Sequence, residues 1–289
     1  MKWRELIKER SSIRSYKDKK VDEKLLEQVR QYMKELSPLI PEQKTEILLL
    51  GKEAGPRLEG IVGYMGNAFF APNYILLLGE DSEEGYIHAG YLAAQLELKL
   101  TELKLNTCFL SINEAKAVKT ALNISSPLTV TTCISFGHGN PEKDSNRIDI
   151  KSRSDVRMEK IKGHIAPKIA MDELVSQSVF GQNCDFAEDA MDPNWEKAFY
   201  ASSLAPAALN RQTYRFLIED NMLYLLDREV KHITKEDRYL NDGIVMFYFH
   251  TVLTAHFHKP DSWTVGTVEK KPEWKVPEEY FVVGTYRLF

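Results

Sequence analysis

Hydrophobic positions along the chain fall into two kinds of pattern, and each predicts an element. After a short helix in "WRELIKERSS" (3–12), residues 23–36 place Leu25, Leu26, Val29, Met33 and Leu36 on one helix face, opened by Asp22 as N-cap. "TEILLLG" (45–51) and "APNYILLLGE" (71–80) are short unbroken apolar runs, as expected of buried strands. The pattern then lengthens into a helix over 82–105, followed by "NTCFLS", a short helix near 113–121 and the strand "LTVTTCISFGHG". Residues 140–153, "NPEKDSNRIDIKSR", are polar and punctuated, and predict a loop or extended arm.

The second half repeats this order. "MDELVSQSVF" predicts a short helix and "DPNWEKAFYASSL" a second. "APAALN" predicts a turn, and "RQTYRFLIED" and "NMLYLLD" predict strands. "YLNDGIVMFYFHTVLTAHF" (239–257) is a long helix, and "EYFVVGTYRLF" a closing strand. A period this long indicates duplication of a whole domain rather than a solenoid repeat. The halves divide at 1–165 and 166–289. "RSSIR" (10–14) falls opposite "SQSVF" (176–180), and "SPLIPEQKTEI" opposite "APAALNRQTYRF", so that Gln43 matches Gln212 and Ile47 matches Phe216. In each pair one member keeps polar, site-like residues and the other lacks them.

Composition narrows the function classes. A chain of 289 residues with 43% hydrophobic and 28% charged residues is an ordinary globular protein. A net charge of −4 without a basic stripe gives no case for nucleic acid. Three widely spaced cysteines form no C-x-x-C pair, and the seven histidines show no ligand spacing, so no metal site is expected. No run approaches eighteen apolar residues and the start lacks a signal peptide's apolar core, so a cytoplasmic protein is expected, with no membrane partner. "GHGNP" fails the G-x-G-x-x-G pattern, which argues against a Rossmann dinucleotide site.

Two stretches carry candidate chemistry. Arg10, Ser12 and Arg14 alternate, so an extended segment presents two guanidiniums and a hydroxyl on one side, suited to a phosphate; a solvated basic helix end is the plainer alternative. Lys151 and Arg153 repeat the alternation in the polar arm, where an exposed loop is the alternative. In "ALNRQTYRF" (208–216), Asn210, Gln212, Tyr214 and Phe216 share one parity, that of a strand with Tyr214 and Phe216 on a packed face. The small residues before it let backbone approach a flat ligand, while Asn210 offers both a donor and an acceptor.

These pieces resemble the flavin-dependent nitroreductases (the nitroreductase and NADH-oxidase-like group), in the tandem single-chain form. The resemblance rests on "RSSIRSY" from Arg10 to Tyr16, "AP" at Ala71–Pro72, "LNTC", "GHGNP", "KSR" and "PAALNRQTYRF", in that order over nearly the whole chain. It implies an α+β fold of two similar domains, joined as an intramolecular pseudo-dimer. It implies FMN as cofactor, with Arg10, Ser11, Ser12, Arg14, Lys151 and Arg153 at the phosphate and ribityl chain. Pro206, Ala207, Ala208 and Asn210 line the ring system, Gln212 supports them, and Asn67 approaches the pyrimidine edge. The family's swapped arms raise the option that the closing strand joins the first domain. Ala207 and Thr213 depart from the family's serine and proline, which removes one hydroxyl contact.

The implied activity is a ping-pong transfer of electrons from NAD(P)H to a nitroaromatic, quinone or similar small oxidant, with no protein side chain required as catalyst. A flavin-storing or sensing protein and a cofactor-free scaffold of the same fold are the alternatives. One complete flavin site is expected per chain. A monomer therefore suffices for it, and further homo-oligomers stay open.

Overall fold

Asp22 accepts a hydrogen bond from the Lys24 amide, and so starts α2 (Glu23–Met33) just after the shorter α1 (Lys2–Glu9). The computed structural model describes residues 2–140, 144–152, 155–162, 166–186, 192–257 and 261–288, without side chains for Lys2, 144–152 and 155–162. The first half continues through β1 (Thr45–Gly51), α3 (Gly55–Leu58), β2 (Asn73–Gly79), α4 (Glu83–Glu102), β3 (Asn106–Leu110), α5 (Ala115–Leu122) and β4 (Thr129–Gly137). A ribbon of β5 (Asp144–Ser152) and β6 (Asp155–Lys162) follows. The second half comprises α6 (Met171–Leu174), β7 (Val175–Gln177), α7 (Pro193–Ser203), β8 (Arg215–Glu219), β9 (Met222–Arg228), α8 (Lys235–Thr254), β10 (Thr264–Val265) and β11 (Tyr280–Arg287).

The fold is α+β, and its two main sheets correspond strand for strand. The first has the order β1-β2-β4-β3; the second has β10-β11-β9-β8-β7, which read from β8 is β8-β9-β11-β10 with β7 added at the edge. Local bonds repeat the correspondence. The Ile40 amide donates to His88 Nδ1 on α4 at 3.1 Å, and the Ala208 amide donates to Asn241 Oδ1 on α8 at 3.0 Å. Each half thus ties its pre-strand turn to its own long helix.

α4 and α8 are apolar on nearly every side, the pattern of a helix enclosed by protein, and both are buried over most of their twenty residues. They cross where Gly90 meets the Leu240 carbonyl and Gly243 meets the Ile87 carbonyl; a Cβ at either position would overlap that oxygen. The reciprocity of the two contacts is that of a two-fold axis. One hydrophobic cluster runs through the crossing, uniting Leu6, Ile87, Tyr91 and Leu98 with Phe199, Phe216, Phe249 and Tyr286. The halves therefore form an intramolecular pseudo-dimer. Among the described residues no helix is long and apolar enough to cross a membrane.

Several elements depart from the sequence expectation. The polar arm forms part of the β5–β6 ribbon, with Ile148 opposite Met158 and Ile150 opposite Val156. Its two-residue apolar period outweighs its charge. The expected helix over 171–180 stops at Leu174, because Val175–Gln177 pairs in parallel with Phe216–Ile218. α8 begins at Lys235 rather than 239, where Thr234 caps the Asp237 amide. The closing strand β11 stays in its own half, between β9 and β10. Tyr214 and Phe216 are both fully buried, as their parity predicts, but the strand starts only at Arg215. Asn210 and Gln212 lie before it.

Candidate active site

After α1 the chain runs extended beside β3. Ser12 bridges to Thr107 in parallel, the Ile13 amide donates to the Thr107 carbonyl at 2.8 Å, and Ile13 is buried. With Ile13 turned inward, Arg10, Ser12 and Arg14 on the other parity line a cavity, together with Ser11. Its volume is about 890 Å³, within the usual range of small-molecule sites.

The facing wall comes from the second half. Pro206, Ala207, Ala208, Leu209 and Asn210 line the same cavity. This turn is held by the Ala208–Asn241 bond, and Leu209 and Asn210 both take positive φ, at 49° and 55°. Asp237, Leu240, Asn241 and Ile244 complete the wall from one face of α8. The structure thus brings together the arginine–serine segment of one half and the small-residue turn of the other.

The two amides singled out in the sequence have a more specific task. Gln212 Oε1 accepts from the Ile169 amide at 2.7 Å, and its Nε2 donates to the Pro167 carbonyl at 3.1 Å. Asn210 Nδ2 donates to the same carbonyl at 2.7 Å. Together they clamp the segment 167–169 across the cavity. Asn210 also lines it, whereas Gln212 stands behind. The clamp presents Lys168, which sequence reasoning missed: no periodicity marks it, and only distant amides place it. Lys168 Nζ donates to the Ala205 carbonyl at 2.7 Å. Burial, and then the nearby Arg10, push its pKa down to about 8.

The remaining expected residues are less well placed. Asn67 does not line the cavity; its Oδ1 accepts from the Phe69 amide, and Tyr64 and Phe69 of the same loop form the wall instead. Arg153 lies outside the described residues. Lys151 is described by its backbone in β5 alone. Arg10 lines the cavity but is paired behind it with the buried Glu97 at 3.4 Å.

Two buried donors at the wall have no protein partner among the described residues, Arg10 Nε and Asn241 Nδ2. A buried donor without a partner is costly, so the cavity suits a ligand rich in acceptors and anionic at one end. A flavin mononucleotide fits those donors, the cations and the small-residue wall. Cys108 also lines the cavity, but burial pushes its thiol up to about 11, which rules out a thiolate nucleophile at neutral pH. Asp237, beside Ser111, is raised by burial. Its position in the first turn of α8 reads in the sequence only as a helix-dipole complement.

The opposite corner is built differently. Leu39 packs on the shared hydrophobic cluster, and Gln95 makes two hydrogen bonds to the Ser37 backbone, at 3.0 and 2.8 Å. A second cavity of about 490 Å³ lies near Phe180, Arg215 and Tyr280, and residues 37–43 take no part in it.

Comparison with known proteins agrees with this architecture. The model of the family described as "Putative TM nitroreductase" matches residues 2–251. The chain belongs to that family, a group of oxidoreductases. A structure described as a "putative nitroreductase" from Thermotoga maritima shares the fold, with a TM-score of 0.59 and 16% identity over 100% of this chain and 94% of its own. An FMN-dependent nitroreductase from Clostridium difficile is 25% identical over 48% of this chain and 88% of its own, with a TM-score of 0.40. For a structure described as a "Putative NADH Oxidase" from Clostridium acetobutylicum the values are 24%, 48%, 89% and 0.42. No curated protein matches the chain.

Proposed function

We propose that the cavity between the halves binds one FMN and that the protein passes electrons from NAD(P)H to a nitroaromatic, quinone or similar small oxidant. The observation that carries this reading is the meeting of Arg10, Ser12, Arg14 and Lys168 with Pro206–Asn210 around one cavity. When bound, FMN supplies the hydride and electron transfer. The chain's own residues bind and orient it. Arg14, Lys168, Ser11 and Ser12 take the phosphate, with Arg10 behind them. Pro206, Ala207 and Ala208 admit the flat ring, and Asn210 and the free Asn241 Nδ2 offer hydrogen bonds to its polar edge.

Tyr64 and Leu209 line the cavity and are exposed, and Met65 and Phe70, next in sequence to the lining residues Tyr64 and Phe69, are exposed too; Met65, Phe70 and Leu209 sit at positive φ. Backbone strain of this kind costs about 1–3 kcal/mol per residue and clusters at functional sites. Here it accompanies exposed apolar side chains on two loops that line the cavity, which suit a planar acceptor. Donor and oxidant visit the same face in turn, which makes the scheme ping-pong. The purified protein is expected to be yellow, to bleach with NADH or NADPH, and to recover colour on adding a nitro compound. Retained flavin that no reduced nicotinamide bleaches would contradict the enzymatic reading, and a chain that binds no flavin would contradict the reading as a whole.

A further inference from the structure

Arg10 does not stand free at the cavity wall. Its Nη1 donates to Ser12 Oγ at 3.2 Å and to Glu97 Oε1 at 3.4 Å. Glu97 lies in α4 and is 0% exposed. It also accepts from Thr107 Oγ1 at 3.3 Å and from the Tyr248 hydroxyl of α8 at 3.1 Å. Donors from three separate elements therefore converge on one buried carboxylate. Such a carboxylate is retained only with a compensating cation, and Arg10 is that cation. Among the described residues Arg14 and Lys168 have no ion pair of this kind, although Glu97 also favours the charged form of Lys168. Three other titratable groups line the cavity: Glu9 pairs with Lys104 at 2.7 Å, Lys8 lies over the Tyr200 ring, and burial holds the Asp237 carboxyl above its usual range.

We infer that Glu97 cancels the charge of Arg10, and so lowers by one the positive charge that the cavity offers to an anion beside Arg14 and Lys168. Glu97 is then a specificity-determining residue for the ligand's charge, although it touches no ligand. Tyr248 ties this setting to the second half of the chain. Arg10 acts in it as half of an internal pair through its Nη1.

The inference rests on the flavin reading, and FMN and riboflavin, which differ only in the phosphate, separate the two. Affinities of both flavins are measured by fluorescence quenching for wild type, E97Q and the double variant R10Q/E97Q. Wild type is expected to prefer FMN. E97Q leaves Arg10 uncompensated, and its FMN-to-riboflavin preference should rise by about tenfold, the effect of one unit charge at short range in a half-buried site. Its riboflavin affinity should change by less than about threefold, since no ring contact is altered. The double variant removes the pair as a whole and should return the preference to within about threefold of wild type, because the net charge is restored. If E97Q does not fold, the charge-balanced double variant decides alone. A preference that falls in E97Q, or collapses in the double variant, would show that Arg10 itself grips the phosphate and overturn the inference. An unchanged preference in E97Q would reduce Glu97 to a structural residue. Wild type that binds neither flavin would overturn the flavin reading and this inference with it.

Discussion

Arg14 and Lys168 face the cavity from opposite halves of the chain, and each makes its own prediction. A charge-assisted contact contributes about 1.5–3 kcal/mol, so R14A should weaken FMN binding at least about tenfold and leave riboflavin nearly unaffected. Unchanged FMN affinity would remove Arg14 from the phosphate site. Lys168 titrates near pH 8 in the free protein, because burial and Arg10 oppose its charge. A bound dianion favours the charged form and raises that pKa. FMN affinity should therefore be flat below about pH 8 and fall above it, by up to about tenfold per pH unit, until the pKa of the bound state is reached. Affinities measured from pH 7 to 9.5 check this, and K168M should flatten the profile. The arginine–serine segment was legible in the sequence because its alternation is local. Lys168 was not, since its place depends on the Gln212 and Asn210 clamp formed across the fold. Asn67 was misplaced for a related reason: its amide is spent on its own loop, and the loop's aromatics form the wall.

At the scale of elements, α8 carries the clearest tests. Asp242 is fully buried, and neither carboxylate oxygen has a partner among the described residues. Burial first, and then the neighbouring Asp227, raise its pKa well above the usual carboxylate range. For a raised carboxyl, the stabilising contribution is complete below the unfolded value near pH 4 and is lost as pH rises through the folded value. At pH 8 the ionised form is a cost, so D242N should raise Tm by about 2–4 °C there, with a smaller gain at pH 5. A lower Tm at pH 8 would mean that Asp242 is held by a compensating charge. Gly243 makes the opposite prediction. A Cβ there meets the Ile87 carbonyl, and overpacking of this kind costs about 1–3 kcal/mol or more, so G243A should lower Tm. Helices and long apolar strands were legible because their periods are unambiguous. The β5–β6 ribbon and β7 were not: charge masks the alternation in the first, and β7 exists only because β8 offers a parallel edge.

For the whole molecule, the repeated order of elements was visible in the sequence, and the matched sheets and the reciprocal glycine contacts realise it. The division of labour between the halves was also visible, since one keeps the arginines and the other the small-residue turn. What the sequence could not fix was the connection of strands at the seam, where β11 stays with its own half. The central claim is that one chain builds one flavin site from two unlike halves. At the opposite corner Ser176 and Phe180 stand where the first half has Arg10 and Arg14, and the loss of two charge-assisted contacts at about 1.5–3 kcal/mol each would weaken binding there by orders of magnitude. Because the halves are covalently joined, the association that forms the site is intramolecular. The most direct test is a titration of apo-protein with FMN, run alongside a light-scattering mass measurement at several protein concentrations. One FMN per chain is expected, with an affinity that does not change on dilution to the monomer. Two FMN per chain, or binding lost on dilution to the monomer, would contradict it.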